Sequence, residues 1–146
     1  MCWQASRVFA RGLSAPARAR HFCTQMLRTV FSDRPRPVSA DTVIETATLV
    51  LSELVTNAVN AGCERAACML SVHRNYVQLA VTDDTAGQLE LLNPAPRDDH
   101  GRGLRIVDAV CRSWGVHRTR NGKRVWAELS VPNRLLVDLP CDLVRA

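Results

Sequence analysis

No two of the six cysteines, at positions 2, 23, 63, 68, 111 and 141, stand at C-x-x-C spacing, and none has a histidine at ligand spacing in a matching knuckle. That excludes the usual zinc and dithiol redox sites. Cys63 and Cys68 are five apart, too loose for a metal half-site. All six read as reduced thiols, mostly small buried hydrophobes, in a reducing compartment. The N-terminus lacks the apolar run of a signal peptide, because Arg7 and Arg11 interrupt it. No stretch approaches the length needed to cross a bilayer, so the expectation is a cytoplasmic protein with no membrane partner. Acids are missing from residues 1–32, which hold five arginines within a chain of net charge +5. Those arginines are scattered and no aromatic platform is interleaved with them, so a solvated basic face is preferred over nucleic-acid contact. There is no internal repeat.

What remains is a chain of 146 residues, 47% apolar, which suits one domain around one core. The expected domain covers 1–132, with a tail over 133–146. Residues 3–12 roughly alternate and end at a glycine, as a first strand would. Pro16 opens a helical stretch to about Phe31, proline being tolerated in the first turn. The prolines of SDRPRPVSAD make a loop, and Ser39 or Asp41 can cap a second helix. Over 40–61, Val43, Ile44, Ala47, Val50, Leu51, Leu54, Val55, Ala58 and Val59 recur at helical spacing, and Gly62 is a natural stop. Two strands come next, AACMLSVHR and YVQLAVTDD, joined by a tight turn at Arg74-Asn75. The second alternates cleanly, with Val77, Leu79 and Val81 on one side. Residues 84–100 read as a loop. GRGLRIVDAVCRSW then becomes a helix with Leu104, Ile106, Val107, Val110 and Cys111 on its apolar face. A final hairpin flanks Asn121-Gly122. The order β-α-α-β-β-loop-α-β-β predicts an α+β two-layer sandwich, a mixed, mostly antiparallel sheet covered on one face by helices.

Three constellations could carry chemistry. Glu53 and Asn57 are four apart on the long helix and share a face. Asn offers a neutral oxygen to a hard cation and Glu can orient or deprotonate a nucleophile; a solvated polar stripe would use the same residues. Asp83-Asp84 ends an apolar strand before Thr85-Ala86-Gly87, where a carboxylate can accept from a nucleobase amino group, or simply make a turn. In Gly101-Arg102-Gly103-Leu104 the loop becomes a helix. Its glycines permit close backbone approach, and a helix start presents unpaired N–H groups to an anion. Trp114 and Trp126 are expected in or beside the core. His21, His100 and His117 show no partner at useful spacing.

In this order, E-x-x-x-N on a helix, an Asp-tipped strand, a long loop and a G-x-G-opened helix resemble the Bergerat nucleotide-binding fold of histidine kinases, type II topoisomerases and a heat-shock chaperone. The similarity spans roughly residues 5–131. S-E-L-V-T-N-A-V matches the first family box; G-R-G-L-R-I-V followed by W-G-V matches the last. Within the group the chain looks most like bacterial anti-sigma-factor serine/threonine kinases. As an ATP lid that loop is short beside those of sensor histidine kinases, which also need a phospho-accepting helix for which no candidate exists here. The resemblance implies ATP and Mg²⁺ as cofactors, Glu53 as general base, Asn57 as the Mg²⁺ ligand and Asp83 as the adenine-reading residue. It implies that Gly87 shapes the pocket, that 88–100 form the ATP lid and that Gly101, Arg102, Gly103 and Leu104 hold the phosphates. The implied partners are a sigma factor or an anti-sigma-factor antagonist protein, and a homodimer is allowed. Two departures stand out: Thr85 replaces a frequent glycine, and Asp99 occupies a position where some family kinases carry an arginine. Arg97 or Arg102 could substitute for it. The alternative is a non-catalytic ATP-binding module that regulates a partner by contact.

Overall fold

A computed structural model describes residues 3–31, 38–85 and 99–132. In chain order the elements are β1 (Trp3–Ala10), α1 (Ala15–Val30), α2 (Val38–Asn60), β2 (Arg65–Val72), β3 (Tyr76–Asp83), α3 (Asp99–Val110), β4 (Ser113–Thr119) and β5 (Gly122–Ser130). The element order predicted from sequence is the one observed. The proline-rich segment before α2, the loop after Thr85 and the tail expected over 133–146 lie outside the described residues.

Helix periodicity governs the two long helices. In α1, Ala15, Ala19, Phe22, Cys23 and Leu27 fall three or four apart and are all buried. In α2, every expected core position from Val43 to Ala58 is buried, and Val59 is packed partly against the core. The start of α2 differs from expectation. The helix is under way at Val38, so Ser39 and Asp41 lie inside it rather than capping it, and Asp41 places its charge in the positive first turn. Its end is as read. Gly62 adopts φ +87°, Gly62 N–H donates to Val59 C=O at 3.0 Å and Cys63 N–H to Ala58 C=O at 3.1 Å. These are the two hydrogen bonds of a Schellman motif, and only glycine enters that φ region without strain.

The five strands form one sheet in the order β1-β2-β3-β5-β4. Every described pairing is antiparallel, so the expected α+β arrangement on a mostly antiparallel sheet is observed, with no parallel pair among the described strands. The reason is topological. β3 and β4 run the same way, as the α3 crossover between them requires, but β5 inserts between them and pairs antiparallel with both. The helices cover one face, where Leu70, Val72, Val77, Leu79, Val81, Val125 and Ala127 form the floor of the core. Residues Ala40–Asn60 make a 21-residue run of mean hydropathy 1.2, which by length and composition could cross a membrane, contrary to expectation. Its apolar face is buried between α1 and the sheet, the situation of a core helix.

The expected hairpin is present, with a register shifted by one residue. Thr119 pairs with Gly122, so Arg120 and Asn121 form the two-residue turn and Gly122 is the first residue of β5. Val110 is exposed and Cys111 lies beyond the end of α3, so among the described side chains of the helix the buried ones are Leu104 and Val107. Trp114 packs against the core and donates from Nε1 to Asp108 at 2.9 Å. Trp126 lies on the helix-free face, covering Gly115 and stacking with His117 at 6.3 Å between centroids; His117 thus has a partner that spacing did not reveal. The N-terminal arginines are also less free than expected. Arg7 and Arg18 lie over the Phe22 and Phe9 rings at 5.2 and 5.5 Å, and Arg20 donates to Ser52 at 3.0 Å.

Candidate functional site

Strand alternation decides what the end of β3 presents. Val77, Leu79, Val81 and Asp83 share the inward face, so Asp83 turns a carboxylate toward the helix layer. Directly across the ladder on β5 stands Lys123, followed on the same face by Val125, Ala127 and Leu129. The Asp83 and Lys123 side chains are 1% and 5% exposed, and Lys123 Nζ lies 3.4 Å from Asp83 Oδ2. The ammonium also donates to Thr85 Oγ1 at 2.8 Å. Thr85 in turn donates its backbone N–H to Asp83 Oδ1 at 2.8 Å and its hydroxyl to the same oxygen. The result is a ring of hydrogen bonds through Thr85, closed by the Lys123–Asp83 ion pair. Two opposite charges so deeply buried are tolerated only because each satisfies the other.

The surroundings hold this ring in place. Glu64 N–H donates to Asp84 Oδ1 at 2.9 Å, tying the turn after α2 to the end of β3. Cys63, in that same turn, is buried; desolvation raises its thiol pKa, and the nearby Asp83 and Asp84 carboxylates raise it further. The C-terminal half of α2, with Glu53 and Asn57, therefore ends beside the acidic tip of β3.

Glu53 and Asn57 are half-buried between the fully buried Leu54, Val55 and Ala58. Thr56 folds back onto Ser52 C=O at 2.8 Å. Among the described residues Asn57 Nδ2 is buried with no hydrogen-bond partner. A buried amide costs about 1–3 kcal/mol when left unpaired, so its retention points to a ligand that completes it. Gly101, Arg102 and Gly103 lie within the first two turns of α3, whose start at Asp99 is two residues earlier than expected. The unpaired N–H groups of a helix start thus fall at and just before the first glycine. Leu104 is buried and anchors α3 through its side chain. Gly87, residues 88–98 and the side chains of Asp99 to Gly103 lie outside the described residues. A cleft of about 360 Å³ lies at the other end of α2, between Thr42, Thr46, Cys111 and Ser130, and none of the predicted site residues lines it.

The family model of the histidine kinase-like ATPase domain matches residues 13–129. The chain belongs to this family. Membership of an ATPase family implies ATP binding. Among solved structures, the domain is similar to the histidine kinase domain from Erythrobacter litoralis EL346 blue-light activated histidine kinase, with a TM-score of 0.50 and 17% identity. That match covers 83% of this chain and 65% of the other, so the chain spans just under two thirds of that domain's length. At this identity the likeness is one of fold. No curated protein matches the chain.

The residue that sequence reasoning missed in this ATPase domain is Lys123. A signal was present: in G-K-R-V-W-A-E-L the positions two apart read Lys, Val, Ala, Leu, placing one cation on an otherwise apolar face. Without the β3–β5 pairing, nothing singled that lysine out.

Proposed function

We propose that this ATPase domain is an ATP- and Mg²⁺-binding regulatory protein of the anti-sigma-factor serine/threonine kinase type. The observation that carries the reading is the Asp83 carboxylate, only 1% exposed at the inward-facing tip of β3. Two oxygens offer about four acceptor positions; Thr85 fills two by hydrogen bonds and the Lys123 ammonium faces a third as an ion-pair partner. One remains for an exocyclic amino group. The unpartnered Asn57 amide on the adjoining helix suits a cation ligand once its oxygen is turned toward the ion.

When bound, Mg²⁺·ATP supplies a transferable phosphoryl group. Asp83 would bind the base, Asn57 the cation, and the backbone from Gly101 to Gly103 the phosphates. Glu53, half-buried and without a side-chain partner among the described residues, would accept the proton of an attacking serine or threonine hydroxyl at its carboxylate. The partner protein that carries that hydroxyl is an anti-sigma-factor antagonist; the protein held in the other state is a sigma factor. Differential affinity for the two would set which is bound.

The decisive experiment incubates the domain with ATP, Mg²⁺ and a cognate antagonist protein and looks for phosphoserine or phosphothreonine. Transfer by wild type and its loss in Glu53→Ala, with ATP affinity retained, is the expected result. Equal inertness of both, while both bind ATP, rejects the kinase reading. It would favour the second one, a nucleotide-sensing module acting by contact, which rests on Thr85 and on an acid, Asp99, at the first residue of α3. In that case Asp83→Ala should lose partner binding together with ATP.

A further inference from the structure

Lys123 does more than balance a buried charge. We infer that it is a second base-reading residue, one that selects a purine with an unprotonated ring nitrogen beside its exocyclic amino group and rejects 6-oxo purines. The inference rests on the adenine-nucleotide reading of Asp83 and extends it.

The argument starts from donor and acceptor inventories. An ammonium has three N–H donors and accepts nothing. One is given to Thr85 Oγ1 at 2.8 Å, the ammonium stands 3.4 Å from Asp83 Oδ2 as an ion pair, and among the described residues it meets no further acceptor. With only 5% of its side chain exposed, Lys123 has little access to water for the donor left over. The carboxylate and the ammonium therefore present an acceptor and a donor side by side. Along one edge adenine carries the complementary pair, the N6 amino donor next to the N1 acceptor. Hypoxanthine and guanine carry the reverse, the O6 acceptor next to an N1–H donor. In the adenine orientation they would set O6 against the carboxylate and N1–H against the ammonium. Turning the base over to restore complementarity carries the ribose to the opposite side of the base.

A hydroxyl or a water at this place would not discriminate in the same way, because either can reverse its hydrogen bond and meet N1 or N1–H. A fixed cation cannot. The contribution of Lys123 is thus a penalty against the wrong base as well as a bond to the right one.

Calorimetric titration of ADP, IDP and 1-deaza-ADP against wild type and Lys123→Thr tests this. Wild type should bind ADP about a hundredfold more tightly than IDP, and about tenfold more tightly than 1-deaza-ADP, which lacks only the N1 acceptor. In Lys123→Thr, which keeps a donor for Asp83, both gaps should shrink about tenfold. Gaps unchanged within about twofold overturn the inference while leaving ADP binding, and hence the site, intact. Failure of wild type to bind any of the three overturns the nucleotide reading as well. If Lys123→Thr does not fold by circular dichroism, Lys123→Gln takes its place, since its amide can offer either a donor or an acceptor. Wild type binding 1-deaza-ADP as tightly as ADP sinks the proposal without any variant.

Discussion

Gly122 approaches the main chain of Asp83 so closely that a β-carbon added to it would fall 1.9 Å from the Asp83 carbonyl oxygen. The glycine that looked like a turn residue is a contact residue: it lets β5 come alongside the end of β3 and brings the next side chain, Lys123, opposite Asp83.

Gly122→Ala should therefore push the start of β5 away from β3. The obstacle is backbone, which cannot swing aside as a side chain could. A stability loss of about 1–3 kcal/mol is expected, read as a lower urea midpoint at unchanged slope, together with weaker ADP binding. Asn121→Ala, one residue away in the turn, should cost less.

Removing one member of the buried pair should be costly and removing both should not. Lys123→Met strands the Asp83 carboxylate and should destabilise by about 3–5 kcal/mol. Asp83→Asn combined with Lys123→Met leaves no charge to strand and should recover much of that loss. A double-mutant cycle by denaturant unfolding measures the coupling. Additive single losses would mean that the pair is not an energetic unit.

Asn57 should show opposed effects on stability and binding. Its side-chain nitrogen is buried and unpartnered among the described residues, so Asn57→Leu should leave the ligand-free protein as stable as wild type or raise its stability by about 1 kcal/mol. The same change should abolish the Mg²⁺-dependent part of ATP affinity. Titrations with and without Mg²⁺, beside thermal unfolding, read both outcomes.

The buried thiols set an alkaline limit. Burial pushes Cys23 and Cys68 up from 9.0 to about 12, and half-buried Cys111 to about 11. Between those values the unfolded chain sheds protons that the folded chain keeps, so stability present below pH 9.0 must fall as pH rises toward about 12. Urea midpoints measured from pH 8 upward should decline through that window, and the decline should lessen in a Cys23→Ala, Cys68→Ala variant. At pH 8 iodoacetamide should leave Cys23 and Cys68 unmodified in the native protein and label them in urea.

Much of this domain is written locally. The 3.6-residue recurrence from Val43 to Ala58 determines α2 and its buried face, the alternation of Val77, Leu79 and Val81 determines β3, and Gly62 determines where α2 stops. The three chemistry-bearing boxes were likewise legible in their residue types and order. The errors fell where the signal was short or shared. Ser39 and Asp41 look like caps because caps and first turns favour the same residues. Asn-Gly marks a hairpin whichever side of the turn the glycine occupies.

Sequence alone thus determined the helices, the strands, their order and the carboxylate and carboxamide that define the candidate site, because periodicity and turn chemistry act over a few residues. Only tertiary structure decided that β5 inserts between β3 and β4, and with it that Lys123 faces Asp83 across a ladder joining residues 40 positions apart. Strand pairing is set by the free energy of closing a long loop against burying a whole sheet face, a balance that no short window of residues contains.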